Sequence, residues 1–116
     1  MTDVVDCHCH LFPSAWQPRG HMPPDMFDVE GLLEKHAGAG ISAAIVSDPH
    51  IWYGDLDPSE IARTREYNDF AAELGRTHGD RLAPLGTVTP WRGDEHLREA
   101  ERAVTELGLR GLALPT

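Results

Sequence analysis

The sequence predicts an α/β domain in which parallel strands alternate with helices. Short apolar runs typical of buried strands alternate with segments whose apolar residues recur every three or four positions, as in amphipathic helices. Glycine, proline and aspartate separate these segments, and no linker long enough to divide domains interrupts the 116 residues. Because crossover connections through a helix are right-handed, the predicted strands are parallel and the helices cover one face of the sheet.

Four strands are predicted, each of them followed by a turn or a loop. The first is Val4–Cys9, which precedes a long proline-rich loop, and the second is Ile41–Ser47. The third is Arg81–Thr89, with Pro84 near its start, and the fourth is Leu109–Leu114. The order is therefore β-α-β-α-β-α-β, which fits either a small open parallel sheet or the first half of an eight-stranded barrel.

The first two helices carry clear start and stop signals. Asp28 can cap the first helix, and Gly38 and Gly40 can end it in the left-handed backbone region. The second helix is predicted to start in the run Asp57-Pro58-Ser59-Glu60 and to stop between Gly75 and Gly79. Their predicted buried faces are Val29, Leu32, Leu33, His36 and Ala37 in the first helix, and Ile61, Thr64, Tyr67, Ala71 and Leu74 in the second.

The third helix follows the same logic. Asp94 is predicted to cap it, and Gly108 is predicted to terminate it. Its predicted buried stripe is Leu97, Ala100, Val104 and Leu107.

The run Asp6-Cys7-His8-Cys9-His10 is the strongest functional pattern in the chain. Strand alternation would place Asp6, His8 and His10 on one face and the two cysteines on the other. Two imidazoles one pleat apart can bind one divalent metal, and Asp6 can orient a ring as a hydrogen-bond acceptor. The cysteines are predicted to pack outward against a helix. An acid–base pair and a simple hydrogen-bonded pair remain alternatives for the histidines.

Other candidate site residues follow the strands, at the edge where parallel α/β proteins bind ligands. A planar or carboxylated substrate could contact the weaker candidates, which are Arg19, His50, Trp52, Tyr53, Trp91 and Arg92. His21, in the first loop, is a further candidate for such a site. His36 is predicted to be a satisfied, partly buried histidine, whereas His78 and His96 are predicted to be solvated. No glycine pattern for nucleotides and no serine nucleophile elbow follows a strand.

The composition limits the classes of partner that we expect the chain to bind. The net charge of −9 and the isoelectric point near 5.0 argue against nucleic acid and anionic membranes as partners. No apolar stretch reaches the roughly 20 residues that span a bilayer, and no signal-peptide layout is present. Two cysteines at i and i+2 predict no disulfide framework. We therefore expect a cytoplasmic protein that acts on a small molecule, with homo-oligomerisation possible.

Five short motifs in order resemble one protein family. The first strand carries Asp6-x-His8-x-His10-Leu11-Phe12-Pro13, and the later motifs are Gly40-Ile41, Tyr67-Asn68-Asp69-Phe70, Asp80-Arg81-Leu82 and Glu106-Leu107-Gly108-Leu109-Arg110-Gly111-Leu112. Together they resemble the amidohydrolase superfamily, in the amidohydrolase-related branch that includes aminocarboxymuconate-semialdehyde decarboxylase and aromatic-acid decarboxylases.

The resemblance implies the first four strands of a TIM-type (β/α)₈ barrel with a divalent metal, usually zinc, at its carboxyl-terminal mouth. His8 and His10 match the metal-binding His-x-His of the family, and Asp6 matches the acidic residue before it. The family takes its remaining ligands from strands five, six and eight. Residues 1–116 would thus be the N-terminal half of such a barrel, as a truncated product or fragment, or a half-barrel that pairs with another chain.

The function expected from the resemblance is metal-dependent hydrolysis or non-oxidative decarboxylation of a small carboxylated, unsaturated or aromatic substrate. The alternative is a catalytically inactive half-barrel that binds metal or a partner chain. Another His-x-His metallohydrolase, such as a TatD-like nuclease or a phosphoesterase, is a further rival that the acidic charge disfavours.

Overall fold

A computed structural model describes residues 3–16, 23–48 and 61–114 and gives an α/β arrangement with parallel strands. The strands are β1 Val5–His10, β2 Ala43–Ser47, β3 Leu82–Pro84, β4 Gly86–Thr87 and β5 Leu112–Ala113. The helices are α1 Val29–Gly38, α2 Ile61–His78 and α3 Asp94–Thr105, with short 3₁₀ turns at Pro24–Phe27 and Pro90–Arg92. This order confirms the predicted alternation of parallel strands and helices.

The sheet has two parts because the predicted third strand divides. β1, β2 and β3 form one parallel sheet in that order, whereas β4 pairs with β5 in a second parallel pair. The first residue of β4, Gly86, has no room for a side chain, because a Cβ there would lie 2.9 Å from Leu112 Cδ2 and 3.0 Å from Leu109 Cδ1. The first half of the predicted third strand thus pairs with β2, and its second half pairs with β5.

The predicted roles of Asp28 and Gly40 at the ends of α1 are confirmed, whereas Gly38 is the last helical residue and is not left-handed. The Asp28 carboxylate accepts a 3.0 Å hydrogen bond from the backbone N–H of Gly31, which would otherwise lack a partner in the first turn. Gly40, just after the helix, has a φ of +74°, a backbone conformation that favours glycine. Leu33 and His36 are buried as predicted, but Ala37 is exposed.

The predicted buried face of α2 is confirmed, since Thr64, Tyr67, Ala71 and Leu74 are buried. The helix ends at His78, within the predicted range. Its predicted start, Asp57 to Glu60, lies outside the described residues.

The predicted face of α3 is wrong. Leu97 is 53% exposed and Val104 is 51% exposed, while His96, Glu99 and Ala103 form the buried face. The reason is a polar network that removes the cost of burying Glu99, since Arg102 and Asn68 both donate hydrogen bonds to its carboxylate. The cap is also displaced, because Gly93 occupies the cap position and Asp94 is the first helical residue.

Two clusters of buried apolar residues hold these layers together. One lies between the three-stranded sheet and the helices and contains Leu11, Leu33, Ala44, Val46, Leu74 and Leu82. The other lies under the loop after β1 and contains Phe12, Tyr67, Ala71, Ala103 and Leu109. No helix in the described part of the chain is both long and apolar enough to cross a membrane.

Candidate metal centre

The last residues of β1 bring two imidazoles together. His8 Nε2 and His10 Nε2 lie 3.1 Å apart, with the two rings nearly perpendicular. Two nitrogens bound to one tetrahedral Zn²⁺ at 2.0–2.1 Å would lie about 3.3 Å apart, so the pair fits a shared divalent metal. The same distance also fits the hydrogen-bonded pair considered from the sequence. No third histidine, cysteine or carboxylate joins them among the residues that the structure describes.

The His10 ring is fixed by β2. Its Nδ1 lies 2.8 Å from the backbone carbonyl oxygen of Ser47, the residue paired with His10 in the sheet. A carbonyl oxygen only accepts hydrogen bonds, so Nδ1 carries the proton and Nε2 keeps its lone pair. This is the orientation that a metal ligand needs, and the backbone of the neighbouring strand imposes it.

A bulge in β1 changes the predicted alternation. Asp6 pairs with Ala44 and Cys9 with Val46, so three steps along β1 oppose two along β2. Paired residues of parallel strands point to the same side of a sheet. Asp6 and Cys9 therefore share the helix-covered face with Ala44 and Val46, while His10 shares the opposite face with Ser47. We call this opposite face the inner face.

Asp6 consequently contacts residues other than the predicted ones. One carboxylate oxygen accepts a 3.0 Å hydrogen bond from the backbone N–H of His8, and the other lies 3.3 Å from His36 Nε2 of α1. The placement of Asp6 on the same face as the two histidine rings was wrong because the bulge interrupts strand alternation. Through the His8 backbone, Asp6 holds the bulge that presents the His8 ring. The prediction for His36, a buried and satisfied histidine, is confirmed.

The two cysteines differ from each other. Cys9 packs against the cluster of Leu33 and Val46, and its thiol donates to the Ile45 carbonyl oxygen at 3.4 Å. Burial, with the negative charge of Asp6 adding to it, raises the pKa of Cys9 to about 11, so the thiol stays protonated and is a poor metal ligand. Cys7 is exposed, which contradicts its predicted packing against a helix.

The structure tests few of the weaker candidates. Trp91 lies on the 3₁₀ turn after the third strand and is 63% exposed. His96 was predicted to be solvated, but it is buried and its Nδ1 accepts the backbone N–H of Thr89 at 3.2 Å. His78 is partly exposed, and its Nε2 lies 3.8 Å from Glu30 Oε1. The candidates outside the described residues are Arg19, His21, His50, Trp52 and Tyr53.

Sequence reasoning missed the polar network between α2 and α3. Asn68 is fully buried and uses its side-chain amide to bind both the N–H and the carbonyl of Thr87, at 2.7 and 3.0 Å. Its amide nitrogen also donates to Glu99, which Arg102 holds with two further hydrogen bonds. Burial opposes ionisation of Glu99, but the hydrogen bonds from Arg102 and Asn68 outweigh it and keep the pKa below its usual value.

The fold of the chain is similar to that of known decarboxylases. 5-Carboxyvanillate decarboxylase LigW from Sphingomonas paucimobilis matches with a TM-score of 0.76 and 22% identity, over 98% of this chain and 43% of that protein. A 2,6-dihydroxybenzoate decarboxylase complexed with 2,6-dihydroxybenzoate matches with a TM-score of 0.66 and 23% identity, over 97% of this chain and 39% of that protein.

A 2,6-dihydroxybenzoate decarboxylase from Rhizobium matches with a TM-score of 0.69 and 22% identity, over 97% of this chain and 38% of that protein. The chain thus spans less than half the length of these proteins. No protein-family model and no curated protein matches the sequence. At these identities the likeness concerns the fold, and at that level the resemblance to aromatic-acid decarboxylases seen in the sequence is confirmed: this chain has the fold of one part of such a decarboxylase.

Proposed function

We propose that this chain carries the first metal ligands of a divalent-metal-dependent, non-oxidative decarboxylase that acts on a small aromatic carboxylate. The observation that carries the proposal is the 3.1 Å separation of His8 Nε2 and His10 Nε2, at the carboxyl end of a parallel strand. Decarboxylation is preferred to hydrolysis because the solved structures with a similar fold are decarboxylases. Zinc is the metal we expect from two imidazole ligands.

Each residue of the proposed centre has a distinct task. His8 and His10 present Nε2 lone pairs to the cation, the Ser47 carbonyl keeps the proton of His10 on Nδ1, and the Asp6 carboxylate holds the His8 backbone. A bound divalent cation would supply positive charge that polarises the substrate or lowers the pKa of a water molecule. The further ligands, the complete barrel and a cytoplasmic location also belong to the proposal.

Metal binding and product formation test this function together. We expect the chain to bind Zn²⁺ in a titration monitored by calorimetry, and we expect both His8→Ala and His10→Ala to weaken binding at least tenfold. His78→Ala is the matched control, because it removes an imidazole far from β1 in the sequence. The loaded chain, incubated with 2,6-dihydroxybenzoate, should release carbon dioxide.

The outcomes separate the candidates. Equal Zn²⁺ affinity in the His8, His10 and His78 variants would contradict a metal centre on β1. Zinc binding that depends on His8 and His10, without carbon dioxide release, would favour the inactive half-barrel that binds metal or a partner chain.

A further inference from the structure

His36 of α1 is a buried imidazole to which the proposed metal centre gives no task. Its side chain is 9% exposed, and its Nε2 lies 3.3 Å from Asp6 Oδ2. Buried polar side chains are usually paired, and a carboxylate is a strong acceptor for an N–H group. The partner of this ring is thus the residue whose other oxygen binds the His8 backbone.

The Asp6 carboxylate therefore lies between α1 and the histidine pair. Its Oδ1 accepts the His8 N–H at 3.0 Å, and its Oδ2 faces His36. The Asp6 side chain is 28% exposed, so water can compete for both oxygens. A second protein contact on Oδ2 restricts the carboxylate to the rotamer that reaches the His8 N–H.

The His8 segment depends on this support because it lies in the bulge of β1. The register with β2 includes Asp6 and Cys9 but skips the two residues between them. Bulged residues are left out of the ladder, so a local bond from a side chain has a larger share in fixing their backbone. His10, by contrast, is paired with Ser47, whose carbonyl oxygen holds its ring.

The end of α1 holds the His36 ring in place. His36 lies in the last turn of the helix, and its carbonyl oxygen accepts the N–H of Ala39 at 3.1 Å and that of Ile41 at 2.8 Å. Leu33, one turn earlier, packs in the buried cluster under the sheet. The ring therefore meets Asp6 from a helix end that is fixed by packing and by its turn toward β2.

We propose that His36 is a positioning residue of the metal centre, which fixes the His8 backbone through the Asp6 carboxylate and so raises the affinity for a divalent cation. This inference rests on the proposed function and adds a residue of α1 to it. Partners that orient a metal ligand typically change metal affinity by about 10- to 100-fold. His36 acts one contact further away, so its effect is smaller.

A Zn²⁺ titration of the full chain by calorimetry tests the inference. His36→Leu fills the buried site without a donor and should bind Zn²⁺ about fivefold more weakly than the native chain. His36→Gln, whose amide can still donate to Asp6, should restore the affinity to within about twofold. Leu32→Ala is the matched control, because it loosens the packing of α1 and removes no partner of Asp6, and its affinity should equal that of the native chain.

Two further measurements show whether His36 acts through Asp6. In an Asp6→Ala chain, adding His36→Leu should change the Zn²⁺ affinity no further, because the carboxylate that carries the effect is gone. In the metal-free chain, hydrogen exchange followed by NMR should be faster at the His8 amide in His36→Leu than in the native chain. The same amide should exchange at the native rate in Leu32→Ala.

The outcomes separate this inference from the proposed function. Equal Zn²⁺ affinity in the native chain and His36→Leu would overturn the inference and leave the proposed function standing. An equal loss in His36→Leu, His36→Gln and Leu32→Ala would do the same, since it would show a purely structural role. A native chain that binds no Zn²⁺ would contradict the proposed function, and the inference would fail with it.

Discussion

Helices α1 and α3 look alike in the sequence but bury different kinds of residue. Each has an aspartate at its start and an apolar stripe in its sequence, yet Leu33 of α1 is 4% exposed whereas Leu97 of α3 is 53% exposed. α1 packs its leucine against the sheet, while α3 turns Glu99 inward, at 1% exposure. Periodicity therefore predicts the buried face only where no buried polar network competes for it.

The polar contacts around α1 and α3 also differ. On the α1 side, Asp6 contacts His36, and the Arg81 guanidinium donates to the Leu33 carbonyl oxygen at 2.6 Å. On the α3 side, the Glu99 carboxylate is bound by Asn68 and Arg102, and Arg102 also contacts Asp69 at 3.0 Å. A carboxylate with this many donors can replace an apolar side chain in a protein interior.

Replacing Asn68 should have the largest effect on stability. Asn68→Leu removes the hydrogen bonds that Asn68 makes to both backbone groups of Thr87 and to the Glu99 carboxylate, so we expect a loss of about 3–5 kcal/mol in the free energy of unfolding. Asp69→Ala is the control at the neighbouring position. Its carboxylate is 61% exposed, so the loss should stay below about 1 kcal/mol, measured by urea denaturation.

A similar loss in the two variants would contradict the network as the basis of α3 packing. The same measurement on the double variant Asn68→Leu/Glu99→Leu would show how much of the cost comes from the unpaired carboxylate, because this variant buries no charge at position 99.

A leucine in each helix gives a direct comparison of the two faces. Leu33→Ala should cost about 2–5 kcal/mol, because it opens a cavity in the cluster under the sheet. Leu97→Ala should change the free energy of unfolding by no more than about 0.5 kcal/mol, because the side chain is half exposed. Equal losses in chemical denaturation would mean that the face of α3 is buried in solution, as the sequence pattern predicts.

Acid should destabilise the α3 side through Glu99. Its folded-state pKa is lowered, because hydrogen bonds from Arg102 and Asn68 outweigh the effect of burial. A group with a lowered pKa contributes stability above its unfolded-state pKa and loses this contribution as the pH falls through the folded-state value. The difference in unfolding free energy between native chain and Glu99→Gln should therefore shrink from neutral pH toward acid.

The control for this pH series is Glu101→Gln, which removes an exposed carboxylate from the same helix. It should stay within about 0.5 kcal/mol of the native chain at neutral pH. A Glu99→Gln difference that is constant with pH would contradict a role for the ionised carboxylate.

The sequence was sufficient for features that depend on local chemistry. The Asp28 cap, the left-handed Gly40, the buried face of α2 and the pair His8 and His10 follow from residue type and spacing. The fold class follows as well, because the order of strands and helices determines a parallel sheet.

The predictions that failed concern features that depend on residues far apart in the chain. The β1 bulge depends on pairing with β2, and it moved Asp6 to the face of His36. Burial of His96 and Glu99 depends on partners in the third strand and in α2. The periodicity of α3 does not reveal those partners. Burial of Asn68 in α2 would have indicated a polar contact, but the sequence pattern does not show that Asn68 is buried.

The helix starts give the smallest and most closely matched contrast. Asp28 caps α1 through a side-chain bond to the Gly31 N–H, whereas Asp94 is the first residue of α3 and Gly93 occupies its cap position without a side-chain bond. Asp28→Ala should cost about 1 kcal/mol, the usual value of a lost cap. Asp94→Ala should cost only about 0.3 kcal/mol, from the weaker attraction between a first-turn carboxylate and the helix dipole. Thermal unfolding at low and high salt separates the two effects, because salt screens the dipole term and leaves the cap bond largely intact. A larger loss for Asp94→Ala than for Asp28→Ala would restore Asp94 as the cap that the sequence predicted.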